Sequence, residues 1–547
     1  ILGGLRGTFG TEWDFDSAII YSKAKRNEVT RNRVSNTLWA EALNDPTAAA
    51  YNPFSGGVNN NIERVLVDVR RDSKTDLKLI DFKLSNARLV EIWGGPVGFL
   101  AGAEYRKESF SDDRDDRLDG TIVFENWNGG TYPFVSDVVN SSPTPDNRGS
   151  RHVTSLFTEF ALPVTSTLDV QLAVRYEDFS DVGSTWVPKI AFGWRPTDWF
   201  MLRGSWSEAF RAPNLITVNE SLVVRNNTRT DWACEYAADF GGDPDQDIID
   251  CTNNIQRRAT GSKELKPEKS DNYSIGIVLN PLDNLTVTFD YWTIKKKDTI
   301  GLFGEENQTL LDLLARIEAG TSNCSSFEGN PLLGRNEVEE EAIPIYLAAG
   351  ICPAGELDYV NDIYQNLDTR KVQGYDWGVY YDLDSDIGDW TLTWVGTHYT
   401  KYDQEPGPAA SLLIEAQDAG IIPANYPVSG FADLRRMDGN QNTKMNARVR
   451  WRKDAWGASV AWFYLSNFYQ SSLTLEDGTR YVIPSMATWN LSVDYSFDLW
   501  RSNSRVRFGI NNVGNERAPL ADRYFGYFSD AHRDYGRSYY LDFQMVF

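Results

Sequence analysis

A strict alternation of apolar and polar residues is the feature that most limits how this chain can fold. Between Ala487 and Leu499, apolar side chains occupy every odd position, and Thr, Asn, Ser or Asp occupies every even one. Residues 168–177, 446–452 and 539–547 show similar alternation. A period of two places the two kinds of side chain on opposite faces of a β-strand. The sequence therefore predicts an all-β protein.

The predicted strands are long, and their polar faces carry charge. The segment 487–499 exceeds the five or six residues typical of soluble sheets, and a tilted membrane-crossing strand needs about nine to eleven. Arg448, Arg450 and Arg452 lie on one strand face, and unpartnered charges are costly in a dry core. They suit a water-filled or protein-filled lumen. We therefore expect a transmembrane antiparallel β-barrel in contact with outer-membrane lipid, because a soluble all-β adhesin would have shorter strands.

The connections between the predicted strands alternate between short and long. The short turns fall near residues 10–11, 94–96, 163–166, 196–198, 281–284, 385–388, 454 and 501–504. The long polar connections occupy residues 26–73, 111–150, 209–268, 300–361, 403–430 and 514–536. Outer-membrane barrels have such short periplasmic turns and long extracellular loops. Indole rings favour the membrane interface, and the tryptophans close to the short turns are Trp13, Trp93, Trp194, Trp199, Trp390, Trp456 and Trp500.

Composition and motif content exclude several other classes of protein. The formal net charge is −23, which disfavours a nucleic-acid partner because nucleic acids require a basic surface. No run of about 18 apolar residues is present, so no transmembrane helix is expected. His152, His398 and His532 are far apart, and no nucleophile-elbow motif occurs. We therefore predict neither an enzyme nor a metal or other cofactor.

The four cysteines form two local pairs. Cys234 and Cys251 lie in one polar stretch, and Cys324 and Cys352 lie in another. The spacing differs from the CxxC of zinc sites, and an even number of paired cysteines favours two disulfides in an oxidising compartment. Four free thiols in a reducing cytosol are the alternative. Because a crosslink reduces the entropy that a loop loses on ordering, we expect ligand contacts from the two loops that carry these cysteines.

Two segments within the long loops have further interpretations. The acidic stretch from Gly241 to Asp250 offers carboxylates of the kind that bind calcium, but it lacks EF-hand spacing, and a solvated acidic loop is the favoured interpretation. Residues 305–318 carry leucines at helical spacing. They predict a short amphipathic helix, which we expect to pack against the barrel rim, with a lid as the alternative.

Three stretches, taken in order, resemble the barrel of TonB-dependent outer-membrane receptors. They are Phe210, Arg211, Ala212 and Pro213, then Leu265, Lys266, Pro267 and Glu268, and finally the alternating strand that ends at Phe547. The resemblance implies a barrel of 22 strands around an N-terminal plug, in the outer membrane of a Gram-negative bacterium. It also implies energy from an inner-membrane TonB complex, and insertion by the barrel-assembly machinery, which reads the C-terminal aromatic residue.

The expected domain organisation follows from the strand count. About 17 strands are present, whereas bacterial barrels have even numbers of strands. We therefore expect residues 1–547 to be one barrel domain that contains strands 6 to 22. The plug is expected to lie outside this chain. The expected function of this monomeric barrel is TonB-dependent uptake of a scarce, large solute: siderophore-iron, cobalamin, an oligosaccharide or a peptide. Residues 214–265 contain no histidine, which disfavours haem. A passive outer-membrane porin, closing with 16 or 18 strands, is the alternative.

Overall fold

The largest structural element of the chain is a single antiparallel sheet. The computed structural model describes residues 1–58, 60–499 and 502–546. The sheet has 18 strands, of which Ala432–Asp433 contains only two residues. The other strands follow one another in chain order, and each is hydrogen bonded to the next. The predicted all-β barrel fold, with about 17 long strands, is confirmed.

The long strands are numbered here in chain order. Their bounds are β1 Leu2–Phe9, β2 Trp13–Val34, β3 Leu66–Asn86, β4 Gly98–Arg114, β5 Asn147–Thr165, β6 Leu168–Phe179, β7 Gly183–Thr197, β8 Phe200–Arg211, β9 Glu268–Leu282, β10 Leu285–Lys297, β11 Arg370–Leu383, β12 Asp389–Gln404, β13 Thr443–Lys453, β14 Trp456–Leu465, β15 Met486–Leu499, β16 Ser502–Asn511 and β17 Ser538–Val546. The helices are α1 Asn36–Leu43, α2 Leu215–Asn219, α3 Trp232–Gly241, α4 Glu305–Ala319, α5 Ile343–Ala348 and α6 Pro408–Asp418. No helix of the described residues is long and apolar enough to cross a membrane.

The two faces of the sheet differ in the way that the alternation predicts. On β15, Trp489, Leu491 and Val493 project from the outer face and are exposed, as expected of side chains that face lipid. Ser492 and Asp494 project from the opposite, lumenal face. The barrel therefore has an apolar exterior and a polar interior, and its compact hydrophobic core lies elsewhere, in the loops.

The short turns lie at one end of the sheet, and the predicted tryptophans lie beside them. Trp13 opens β2 directly after the turn at Gly10, and Trp456 opens β14 after a turn of two residues. The connection between β3 and β4 is longer than predicted. It contains a small hairpin in which Glu91–Ile92 pairs with Gly95–Pro96. Trp500 and Arg501, which belong to the predicted turn between β15 and β16, lie outside the described residues.

Strands β2 and β3 are much longer than the sequence predicts. The predicted loop over 26–73 is wrong at both ends, because β2 continues to Val34 and β3 begins at Leu66. Charged residues occupy both faces of this extension, so the alternation that marks a membrane strand disappears. Cross-strand contacts maintain the pairing instead: Asn27 Nδ2 donates to Asp72 Oδ1 at 2.8 Å. The ladder thus extends beyond the part of the sheet with an apolar exterior.

Candidate functional site

Three long loops at the end of the barrel opposite the short turns fold together into one unit. This unit, called the cap below, consists of the connections 212–267, 298–369 and 405–442. Strand Thr252–Thr260 of the first loop pairs in parallel with Leu357–Ile363 of the second. Val223–Thr230 and Leu333–Arg335 flank them in a sheet of four strands. Because parallel pairing cannot arise from a simple hairpin, this sheet physically joins two separate loops.

The cap has a hydrophobic core of its own. Its largest cluster contains 20 buried residues drawn from all three loops. Ala237 of α3, Leu313 of α4 and Leu413 of α6 are each completely buried. The ring of Trp232 lies 4.7 Å from that of Tyr426, which joins the first loop to the third. The three loops therefore behave as one folded unit rather than as independent connections.

Both predicted disulfides are formed within the cap. Cys234 in α3 is bonded to Cys251, which directly precedes strand Thr252–Thr260. Cys324 is bonded to Cys352 in the second loop. Each bond closes a segment that lies inside one loop, with sequence separations of 17 and 28 residues. Each bond restrains the segment that it closes and so reduces the entropy that this segment loses on ordering.

A buried cluster of charges lies at the centre of the cap. Arg335 Nη2 lies 2.9 Å from Asp231 Oδ1 and 2.8 Å from Asp312 Oδ2, and Arg335 Nη1 also pairs with Asp231. Arg316 Nε donates to Asp312 Oδ2 at 2.9 Å. Burial by itself would raise the pKa of Asp312, but the charges of Arg335 and Arg316 hold that pKa below its ordinary value. The cluster joins the first loop, which contains Asp231, to the second.

Helix α4 confirms the helix predicted over 305–318, but the predicted position against the barrel rim is wrong. The helix lies inside the cap, packed against α3 and α6. It buries polar as well as apolar side chains, and Asn307 is completely buried. Asn307 Nδ2 donates to the carbonyl oxygen of Ser429 at 2.9 Å, and its Oδ1 accepts from the Ser429 N–H at 2.9 Å. These contacts to the third loop could not be predicted from leucine spacing.

The acidic stretch that begins at Gly241 is largely exposed to solvent, as the favoured interpretation predicts: Asp245, Asp247 and Asp250 are all exposed, and Asp243 is the exception. Asp243 is buried, and its carboxylate accepts the backbone N–H groups of Asp247, Ile248 and Ile249, each at 3.0 Å. Burial opposes ionisation of Asp243, but these three hydrogen bonds lower its pKa overall. Within the described residues, no group of three or more His, Cys, Asp or Glu residues has the arrangement needed to hold a metal ion.

The first two family-like stretches meet where the cap joins the barrel. Arg211 ends β8, Glu268 begins β9, and the two are paired in register and form an ion pair. The completely buried Glu268 also forms an ion pair with Lys296, whose Nζ lies 2.9 Å from Oε2, and its Oε1 accepts from the Ile300 N–H at 2.9 Å. The Glu268 carboxylate thus links the ends of β8, β9 and β10, at the point where two loops of the cap begin.

The other residues of these stretches surround this junction. Phe210 packs edge-to-face on Phe179, with ring centroids 5.6 Å apart. Ala212 is half-buried, and the Pro213 carbonyl accepts from Arg151 Nη1 at 2.7 Å. Leu265 is buried, and Lys266 and Asn366 hydrogen bond to each other at 2.8 and 2.9 Å. Pro267 is half-buried beside Glu268. Phe547 lies outside the described residues.

Arg258 connects the cap to the loop between β4 and β5. Its guanidinium carbon lies 4.5 Å from the centroid of Phe134, in that loop, and 3.4 Å from the centroid of Tyr359, in the cap. Such cation–π contacts contribute about 0.5–2 kcal/mol each. The loop between β4 and β5 is therefore in contact with the cap through Arg258.

Comparison with known proteins adds a family match and several fold matches. Residues 2–513 match the family described as TonB dependent receptor-like, beta-barrel. The probable TonB-dependent siderophore receptor PirA of Acinetobacter baumannii is 30% identical over 127 residues, which are 23% of this chain and 14% of that protein. The chain therefore aligns with much less than two thirds of this curated relative.

Solved structures match the fold over almost the whole chain. The siderophore receptor PirA from Acinetobacter baumannii has 15% identity and a TM-score of 0.55, covering 99% of this chain and 69% of that one. A mutant ferric enterobactin receptor, PfeA, from Pseudomonas aeruginosa has 15% identity and a TM-score of 0.57, covering 98% and 60%. The ferripyoverdine receptor of Pseudomonas aeruginosa has 11% identity and a TM-score of 0.53, covering 100% and 55%.

Proposed function

Because this chain belongs to the TonB-dependent receptor family, whose β-barrel it matches over residues 2–513, we propose that it functions in the active uptake of a siderophore-iron complex across the outer membrane of a Gram-negative bacterium. The energy would come from an inner-membrane TonB complex. The observation that carries this proposal is a membrane-type barrel whose extracellular loops form a folded, disulfide-bonded cap. Pre-ordering the cap lowers the entropic cost of capturing a scarce solute.

The choice of siderophore-iron among large solutes is supported by the related proteins. The curated relative that matches part of this chain is named as a siderophore receptor. Cobalamin, oligosaccharides and peptides are the competing cargoes. A passive porin is the competing mechanism, and it is disfavoured because diffusion through an open pore requires no cap with its own hydrophobic core.

We also propose that β1–β17 correspond to strands 6 to 22 of a monomeric barrel, with a plug domain and five further strands outside this chain. Among the described residues, β1 pairs with β2 alone and β17 with β16 alone. An unpaired sheet edge is not tolerated in lipid. Additional strands between β17 and β1 would close the barrel, and the barrel-assembly machinery would insert it.

Uptake of radiolabelled iron in cells tests the proposed function. The full-length protein would be expressed in an iron-starved host without siderophore receptors, and the host would be supplied with ⁵⁵Fe bound to a panel of siderophores. We expect saturable uptake of at least one complex, lost when TonB is deleted. Uptake that persists without TonB and rises linearly with concentration would establish a porin. Saturable, TonB-dependent uptake of labelled cobalamin but of no siderophore would overturn the proposed cargo.

A further inference from the structure

Two adjoining cavities lie on the outer face of the barrel, on strands β2, β3 and β4. The first, of about 570 Å³, is lined mainly by apolar surface that includes Ile19, Ile80 and Tyr105. The second, of about 310 Å³, is lined mainly by charged and polar side chains. The residues that line both cavities are Tyr21, Lys78 and Lys107. The two cavities thus form one surface depression, called the outer groove below, with an apolar end and a basic end.

The strand register places the lining side chains on the face that points away from the lumen. Tyr21 is level with Lys78 on β3, which is level with Lys107 on β4. Ile19, two residues before Tyr21 and therefore on the same face of β2, is level with Ile80, and both isoleucines are exposed. Strands β3 and β4, at the centre of the groove, are each hydrogen bonded to a neighbour on both sides. The outer groove therefore lies away from both the lumen and the edges of the sheet.

The outer groove lies at the membrane interface on the side of the long loops. Trp13 opens β2 beside a short turn, and Tyr21 is the ninth residue of that strand. A tilted strand crosses the hydrocarbon layer in about nine to eleven residues, and Trp and Tyr side chains favour the two interfaces. The apolar end of the groove, beside Ile19, therefore lies at the level of lipid acyl chains. Its basic end lies at the level of lipid headgroups.

The basic end carries more positive charge than its own carboxylate neutralises. Four lysines and one aspartate line it, an excess of three positive charges: Lys23, Lys74, Lys78, Lys107 and Asp76. The Asp76 carboxylate is already engaged, because its Oδ2 lies 3.2 Å from Lys74 Nζ and its Oδ1 accepts from the Tyr21 hydroxyl at 3.4 Å. Among the described residues, the other three lysines form no ion pair. Three ammonium groups are therefore available to a ligand.

A lysine on another part of the outer face already has a carboxylate partner. Lys297 lies on the same face of β10 as the exposed Tyr291. Its Nζ is 2.8 Å from Asp271 Oδ2 on β9. The lysines of the outer groove differ from Lys297 in having one carboxylate among four of them.

We propose that the outer groove binds a lipid of the outer leaflet whose headgroup carries two phosphate groups, with an acyl chain at the apolar end and the phosphates at the basic end. Lysine binds phosphate as a compact point charge, and clustered basic residues at a membrane surface attract anionic lipid headgroups. A dissolved phosphate would leave the apolar end unoccupied, whereas a lipid fills both ends. The proposal is independent of the cargo proposed above.

Native mass spectrometry of the full-length protein in an uncharged detergent measures this binding. The probe is diphosphoryl lipid A, which carries two phosphates and several acyl chains. We expect Lys78→Gln/Lys107→Gln to bind it about 25-fold more weakly, because each lysine near an anionic lipid contributes about fivefold in affinity. Lys78→Arg/Lys107→Arg keeps both charges and should bind within about twofold of wild type. Heat-modifiable electrophoretic mobility verifies that each barrel is folded.

Three controls decide the outcome. Lys297→Gln removes an outer-face lysine outside the groove, and its affinity for diphosphoryl lipid A should stay within about twofold of wild type. Lipid A without phosphates and inorganic pyrophosphate each supply half of the proposed ligand and should each bind at least tenfold more weakly than the complete lipid. The proposal is wrong if Lys78→Gln/Lys107→Gln binds diphosphoryl lipid A as tightly as wild type, or if either half-ligand binds as tightly as the complete lipid. Because iron uptake is not the readout, failure of the proposed cargo would leave this test unaffected.

Discussion

Replacing Arg335 with methionine tests whether the buried charge cluster stabilises the cap. The substitution leaves Asp231 and Asp312, which are 3% and 1% exposed, without their shared partner. Removing one member of a buried ion pair costs about 3–5 kcal/mol, which is roughly two to three and a half orders of magnitude in an opening equilibrium. We expect amide hydrogen exchange to accelerate by this factor in α4 and Leu357–Ile363, up to the limit set by the stability of the cap.

The pH dependence of the same variant separates electrostatics from packing. In the wild type, the pKa of Asp312 is lowered, so its stabilising contribution is present above the unfolded value of about 3.9 and is lost as the pH falls through the lower folded value. Without the positive charge of Arg335, less opposes the effect of burial on the Asp312 carboxyl, so its pKa rises. The difference in free energy between variant and wild type should therefore shrink as the pH falls from 7 towards the unfolded value of about 3.9, after correction for intrinsic exchange rates.

Two internal comparisons make this test decisive. Exchange in β9 and β10 should not change, because the barrel is hydrogen bonded independently of the cap. Arg435→Met removes an exposed ion pair with Asp433 and should cost less than about 1 kcal/mol. Protection of α4 that is identical in the wild type and Arg335→Met, or a cost that does not change with pH, would refute the electrostatic role of this cluster.

Two further perturbations probe the loops and the barrel wall. Replacing Cys234 and Cys251 with serine should destabilise α3 by about 3 kcal/mol, the value for a closed loop of similar length. Limited proteolysis should then cleave the first loop of the cap. A variant whose first loop resists the protease as well as the wild type does would contradict this. Gly276→Ala would place Cβ 2.0 Å from Asp290 Oδ1 and should lower the free energy of unfolding in urea by about 1–3 kcal/mol. Gly3→Ala is the control, because its Cβ would meet nothing within 4 Å. Equal urea midpoints for the two variants would contradict the prediction.

The barrel is predictable from sequence because the membrane imposes a local rule. A strand with lipid on one side and water on the other must alternate, and the segment 487–499 does so at every position. The rule applies only at membrane depth. Strands β2 and β3 therefore exceed their predicted lengths, because residues such as Asn27 pair across the ladder without any apolar face.

The cap was accessible to sequence reasoning only in its local parts. Disulfide pairing and helix α4 follow from short-range spacing, and both predictions are confirmed. The contact of Arg335 with Asp231 joins residues 104 positions apart, and no periodicity encodes such a contact. The spacing of Asp312 and Arg316 by four residues was the one local signal of the charge cluster. It indicates a paired helix face but gives no sign that the pair is buried.

The shared core of the cap limits how its loops can change during evolution. A surface loop usually tolerates insertions and deletions independently of other loops, because little else in the protein packs against it. Here α3, α4 and α6 come from three loops and bury one cluster together. Transplanting one loop into another barrel would expose one side of that cluster and leave a cavity in the protein that lost it. Sequence variation in these three loops must therefore be correlated, and surface recognition of the cap must depend on their combined shape.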